Sequence, residues 1–284
     1  KRRGKGRHAF FEPELDVAAQ RHALIERELP LAVERNELRL VYQPRFDLHD
    51  RRIHSAEALV RWHHPTRGLC LPSEFIPVAE DSDLIERVGQ WVIEAACKQV
   101  KAWRKAGIAE LRVAVNLSAR QLKCDRLETD LSQTMARHGV TPADLELEIT
   151  ESVFVGDAED VGERLQRLRA LGLSIALDDF GTGYSSMSYL RKLPVDVLKI
   201  DRSFVMDMDS DPAALAVARA IVALASSLKL RTVAEGVETE AQLALLSSLG
   251  CDEVQGYYFS RPVAPAALVR LLEQQAREAA VCVA

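Results

Sequence analysis

The chain contains no run of 18 apolar residues, so nothing in it reads as a membrane-spanning segment. It also has no excess of positive charge: 37 Lys and Arg face 42 Asp and Glu, a formal charge of −5. Without that excess there is nothing to displace counterions from a phosphate backbone, and a general DNA-binding surface is not expected. The five cysteines (Cys70, Cys97, Cys124, Cys251, Cys282) are odd in number, widely spaced and without a Cys-x-x-Cys pair. This argues against a disulfide framework or zinc site and for a reducing, cytoplasmic setting. No Gly-x-Ser-x-Gly elbow occurs, and the glycines of Asp179-Phe180-Gly181-Thr182-Gly183-Tyr184 are too few and wrongly spaced for a dinucleotide fingerprint. Beyond residue 36 there is no Gly/Ser-rich or Pro-rich linker, so one domain over 37–284 is the simplest organisation.

What is present begins with a basic tract, Lys1 to His8, five of whose eight residues are Lys or Arg. It has no apolar centre of the signal-peptide kind and is expected to be the tail of a preceding segment. Leu15, Ala18, Ile25, Leu29 and Val33 then fall at helical spacing and predict a linker helix within 14–36, which Pro30 should end or kink. From there a pattern recurs. A short apolar run ends in a polar or charged residue, and a helical stretch follows. The runs are Leu38–Tyr42, Ala56–Val60, Leu111–Val115, Leu145–Ile149, Leu173–Leu177, Val195–Ile200, Thr232–Ala234 and Glu253–Val254. Between them, residues 83–105 carry Leu84, Val88, Trp91, Val92, Ala95 and Trp103 on one expected helical face, with Asp83 and Glu86 spaced as a capping box. Eight units in about 250 residues suit an α/β fold of the TIM-like (β/α)8 type better than an open doubly wound sheet.

Packing explains the apolar runs but not why acids end so many of them. Glu57, Asn116, Glu148 and Asp178 place three carboxylates and an amide at four strands, a hard oxygen set suited to Mg2+ or Mn2+. Asp178 followed by Asp179 lets one carboxylate bridge two ions, with Glu235 available to the second. Two cations about 3.5–4 Å apart stabilise the entering and leaving oxygens of a phosphodiester. Without them, such a group of carboxylates would raise one another's pKa values. Lys199 adds a positive charge for the attacking water or the phosphate.

Glu57-Ala58-Leu59 lies within SAEALVRW, and the chain also carries VYQP (41–44), NLSARQL (116–122), ELEITES (146–152) and DDFGTGYSS (178–186). LPVDVLKIDRSFV (193–205), VAEGVETEAQ (233–242) and QGYYFSRP (255–262) follow in order. As a set, over about residues 37–275, these segments resemble the EAL-domain family, the cyclic di-GMP phosphodiesterases. The resemblance implies a metal-dependent barrel whose first strand is antiparallel to the rest, and hydrolysis of cyclic di-GMP to linear pGpG. It implies that Glu57, Asn116, Glu148 and Asp178 hold a first metal and that Asp178, Asp179 and Glu235 hold a second. Lys199 matches the catalytic-site lysine, and Glu151 the anchor of the DDFGTG loop. Gln43, Arg61, Glu238 and Gln255 match substrate-contacting positions, with Arg61 the phosphate partner. Val60 stands where Leu is usual. The resemblance further implies a homodimer formed through helices beside that loop. GRHAFFEPEL ahead of a helix (1–36 being tail and linker) resembles the exit from a GGDEF domain, so upstream GGDEF or sensory domains are expected. Ca2+ is expected to inhibit, because its looser coordination misplaces the nucleophilic water.

Three rival readings stay open from the sequence: a catalytically silent cyclic di-GMP receptor, an enolase-type barrel lyase and an interaction scaffold. Trp62, Trp91 and Trp103 read as packing residues, whereas one of Tyr257, Tyr258 and Phe259 is a candidate guanine contact.

Overall fold

The computed structural model describes residues 13–108, 110–154, 158–182, 190 and 193–282. The basic tract at 1–8 and the second half of the DDFGTGYSS segment therefore lie outside the described residues. Strands β1 (Leu38–Asp47) and β2 (Ile53–His64) form a long antiparallel hairpin, and β3 (Gly68–Cys70) folds back on the end of β2. The sheet continues through β4 (Arg112–Asn116), β5 (Leu145–Thr150), β6 (Ser174–Phe180), β7 (Val197–Ile200), β8 (Arg231–Glu235) and β9 (Glu253–Gln255). From β2 and β4 to β9 each neighbour pairs in parallel, and β9 closes on β1 antiparallel. The result is a closed eight-stranded TIM-like barrel in which β1 alone runs against both neighbours, with β3 as an outlying hairpin strand.

Around it run α1 (Pro13–Glu34), α2 (Pro72–Glu80), α3 (Leu84–Lys105), α4 (Ala119–Leu122), α5 (Leu127–His138) and α6 (Ala158–Ala170). They are followed by α7 (Arg202–Met206), α8 (Pro212–Leu228), α9 (Glu240–Leu249) and α10 (Pro265–Cys282). No helix among the described residues is long and apolar enough to cross a membrane. All eight apolar runs of the sequence fall on barrel strands.

Two local expectations are corrected. Pro30 does not end α1, which runs on to Glu34. Leu29 and Ala32 are fully buried on either side of it, and their packing holds the last turn despite the lost backbone donor. Asp83 precedes α3 but its side chain makes no cap; it forms an ion pair with Arg120 of α4 instead. The buried face of α3 consists of Ile85, Val88, Val92, Ile93, Ala96, Cys97, Val100 and Trp103, with Leu84, Trp91 and Ala95 only partly covered. Glycine at 89 leaves room for Gln121: a Cβ there would lie 1.8 Å from Gln121 Nε2, so that buried side chain would have to move.

The hydrophobic core lies between strands and helices, not inside the barrel. On β5, Leu145, Leu147 and Ile149 belong to that core, each fully buried, which is worth about 1.5–3 kcal/mol apiece. The alternate residues Glu146 and Glu148 point to the barrel axis, where both meet Arg45. A second, small cluster of buried apolar residues outside the main core is the trio Ala176, Val197 and Val233 on adjacent strands. The space they leave along the axis is occupied by Arg45 and Lys199, each 1% exposed.

Candidate active site at the barrel mouth

Each site side chain is placed by strand alternation. Gln43 pairs in register with Glu57 across the β1–β2 hairpin, Asn116 with Glu148 across β4 and β5, and Glu235 with Gln255 across β8 and β9. Lys199 near the end of β7 is the centre of the group. Its Nζ donates to Glu148 Oε2 at 2.8 Å and Asp178 Oδ2 at 2.9 Å, and pairs with Glu235 Oε1 at 2.7 Å. Asn116 Nδ2 donates to Glu57 Oε1 at 2.8 Å. Gln255 Nε2 donates to Glu57 Oε2 at 2.7 Å and to Gln43 Oε1 at 3.1 Å. Asp179 takes a left-handed backbone at φ 54°, which an Asp tolerates, and its N–H donates to Asp178 Oδ1 at 2.9 Å. Oxygens of Asp178, Asp179 and Glu235 lie within 4.8 Å of one another.

The electrostatics follow from burial and surplus negative charge. Burial opposes ionisation of Glu57, yet Lys199 and Arg45 hold its carboxyl below the ordinary range. Glu235 is pushed up to about 7, by burial first; Asp178 and Glu57 add to the rise and Lys199 offsets part of it. Asp179 is raised by burial and by Asp178. Lys199 is raised despite burial, because Glu235, Glu57 and Asp178 surround it, so it remains an ammonium. Five carboxylates against that one ammonium leave four negative charges when all are ionised, the charge of two divalent cations. All donors are oxygens, so the set fits hard cations and not thiolate-seeking ones.

Of the other sequence candidates, Glu151 opens a 3-10 turn after β5, and its Oε2 accepts the Gly181 N–H at 3.1 Å. Arg61 is partly buried on β2; burial lowers its pKa, and the negative charge of Glu57 opposes that shift. Glu238 does not join the acidic group: it is exposed, and its carboxylate faces Arg202 at 3.4 Å. Phe259 is stacked on Phe46, centroids 4.2 Å apart, whereas Tyr257 is 46% exposed with Arg261 over its ring. Trp62 and Trp103 are core residues, as read.

Two features were missed in the sequence. One is Arg45, two residues past Gln43 on the same strand face and the only arginine among the buried residues described. Period-two alternation from Gln43 could have found it. The other is a cavity of about 610 Å3 beside the mouth, between β2, α2 and α3. It is lined by Leu59, Pro77, Glu80, Val88, Leu117 and Glu148, residues far apart in sequence that only the fold assembles.

A family model described as EAL domain matches residues 26–262. The chain belongs to the EAL domain family. This EAL domain is 43% identical over 277 residues to the cyclic di-GMP phosphodiesterase NbdA of Pseudomonas aeruginosa, covering 98% of this chain and 35% of that protein. It is 42% identical over 263 residues to the bifunctional diguanylate cyclase/cyclic di-GMP phosphodiesterase MucR of the same organism, covering 93% and 38%. A solved structure of the PaMucR phosphodiesterase in complex with c-di-GMP superposes with a TM-score of 0.83 at 43% identity, covering 86% of this chain and 99% of that one. The chain thus spans little more than a third of the length of these curated relatives.

Proposed function

We propose that this EAL domain hydrolyses one phosphodiester bond of cyclic di-GMP to linear pGpG, with Mg2+ or Mn2+ at the barrel mouth. The observation that carries the reading is the convergence of Glu57, Asn116, Glu148, Asp178, Asp179 and Glu235 around Lys199. Glu57, Asn116, Glu148 and Asp178 would hold one cation, and Asp178, Asp179 and Glu235 the other. Bound there, the cations supply a positive centre for an anionic substrate and acidify the attacking water. Lys199 keeps its proton and donates to the water or to a phosphate oxygen. Arg61 offers a forked donor to the phosphate. Gln43, Gln255 and Glu238 are read as substrate contacts, Glu238 at the rim, and Gln255, braced by Gln43, also fixes the Glu57 carboxylate. Glu151 anchors the loop through Gly181. The adjoining cavity is mostly apolar, with Glu80 at a distance in sequence from the metal-binding set and Glu148 shared with it, a lining that suits the flat faces and N–H donors of a guanine.

The test is incubation of the purified chain with cyclic di-GMP, following linear product by HPLC. Product is expected with Mg2+ or Mn2+, none in chelator, and inhibition by Ca2+. Binding without product under either metal would overturn the reading in favour of a receptor module. Turnover should also fall by about a hundredfold or more in Glu57→Ala and Lys199→Ala; full activity in both would point to a scaffold and a different agent of hydrolysis. Within the whole protein, the domain is read as cytoplasmic and homodimeric, and as set behind GGDEF or sensory domains; only the last of these is supported by its similarity to MucR, a bifunctional diguanylate cyclase/cyclic di-GMP phosphodiesterase.

A further inference from the structure

Directly beneath the carboxylate group lies a charge the reaction itself does not require. Arg45 is 1% exposed and reaches from β1 to two other site-bearing strands, β5 and β9, at once. Its Nε donates to Gln255 Oε1 at 3.1 Å, one terminal nitrogen donates to Glu146 Oε1 at 2.6 Å, and the other forms an ion pair with Glu148 Oε1. Glu148 is therefore gripped from two sides, Oε1 by Arg45 below and Oε2 by Lys199 beside it. The bond to Gln255 has a second consequence. Because Gln255 Oε1 accepts from Arg45, its NH2 group must turn toward Glu57 and Gln43, where both its hydrogen bonds are made. Glu146 completes the arrangement by balancing the guanidinium, with its other oxygen accepting from Ser174 Oγ at 3.0 Å.

We propose that Arg45 is a positioning residue, which presets the Glu148 and Glu57 carboxylates for the metal by holding Glu148 directly and Glu57 through Gln255. The inference rests on the phosphodiesterase reading for its catalytic consequence but not for its geometric one. The planar guanidinium donates to two acceptors and pairs with the Glu148 carboxylate from a third corner, a fixed fork that a lysine cannot reproduce. Groups behind metal ligands commonly change metal affinity or activity by about 10–100-fold when lost.

The test uses two variants, R45K and the paired R45M/E146L, which removes the buried ion pair as a unit so that no lone charge is left in the barrel. Mn2+ affinity is measured by EPR titration, kcat and KM for cyclic di-GMP by product formation, and the metal-free side-chain positions by crystallography. The expected result is a Mn2+ dissociation constant raised about tenfold or more in R45M/E146L. With it should come a fall in kcat at little change in KM, and a rotated Gln255 amide or Glu148 carboxylate. R45K should be intermediate. Wild-type Mn2+ affinity and unmoved Glu148 and Gln255 in R45M/E146L overturn the proposal, even if the melting temperature falls, because that is what a purely structural role gives. If R45M/E146L does not fold, R45K decides by the same readouts. If the wild-type chain binds Mn2+ without hydrolysis, the phosphodiesterase reading fails while Mn2+ affinity still tests Arg45. If it binds no Mn2+, the metal reading fails, and the crystal structures alone decide whether Arg45 sets the two side chains.

Discussion

Lys199 has two tasks that can be separated experimentally. As a donor aimed at the reacting phosphate, its loss should lower turnover by about 10²–10³-fold in Lys199→Met, measured as kcat with saturating metal. As the counter-ion of Glu148, Asp178 and Glu235, its loss leaves those carboxylates uncompensated, which should cost about 3–5 kcal/mol of stability in chelator. Divalent metal should then stabilise Lys199→Met more than it does the wild type, as read by thermal melting with and without Mn2+. Equal metal shifts in the two proteins would show that the lysine does not share the cations' electrostatic place. The cysteines allow a second test at this scale. Burial pushes the Cys97 and Cys251 thiols up to about 12, whereas Cys124 is only partly covered. Iodoacetamide at pH 8 should modify Cys124 well before Cys70, Cys97 or Cys251 in the native chain, as read by peptide mass spectrometry.

At the scale of elements, the loop leaving β9 is fixed by backbone contact. A Cβ on Gly256 would lie 2.0 Å from the carbonyl oxygen of Val237, and backbone cannot move aside as a side chain can. Gly256→Ala should therefore cost about 3 kcal/mol, checked by denaturant unfolding, and displace Gln255 next to it. Strand β5 shows what the sequence made legible and what it hid. ELEIT was readable as a strand ending in acids, but its alternation puts Glu146 on the axis with Glu148, which an account of continuous apolar runs passed over. The strand therefore faces an apolar layer outside and an ionic one inside. Asp83 shows the converse. Its spacing to Glu86 suits a capping box, yet Arg120, 37 positions away, offers a charge, and the tertiary contact displaces the local one.

For the whole molecule, the acidic mouth couples stability to pH and metal. The folded-state pKa of Glu235, about 7, lies above its ordinary 4.5, so between those values the native state holds a proton that the unfolded chain has lost. Stability in chelator should accordingly fall as pH rises from 5 to 8, by up to about 3 kcal/mol from this group. Cations that bind the ionised form reverse that loss, so the melting-temperature gain from Mn2+ should be larger at pH 8 than at pH 5.5. A gain that shrinks with rising pH would contradict the placement of Glu235 in the cation site.

The order of apolar runs and the acids closing them sufficed to read the barrel, its eight strands and nearly every member of the mouth, because strand alternation and burial are local consequences of side-chain type. The antiparallel first strand came from family likeness, since a hairpin and a crossover connection look alike in periodicity. The roles of Arg45 and Gln255 and the cavity beside Glu80 required the folded chain. Each depends on which side chains meet across the barrel axis, and that is set by strand register and closure, which couple residues up to 212 positions apart.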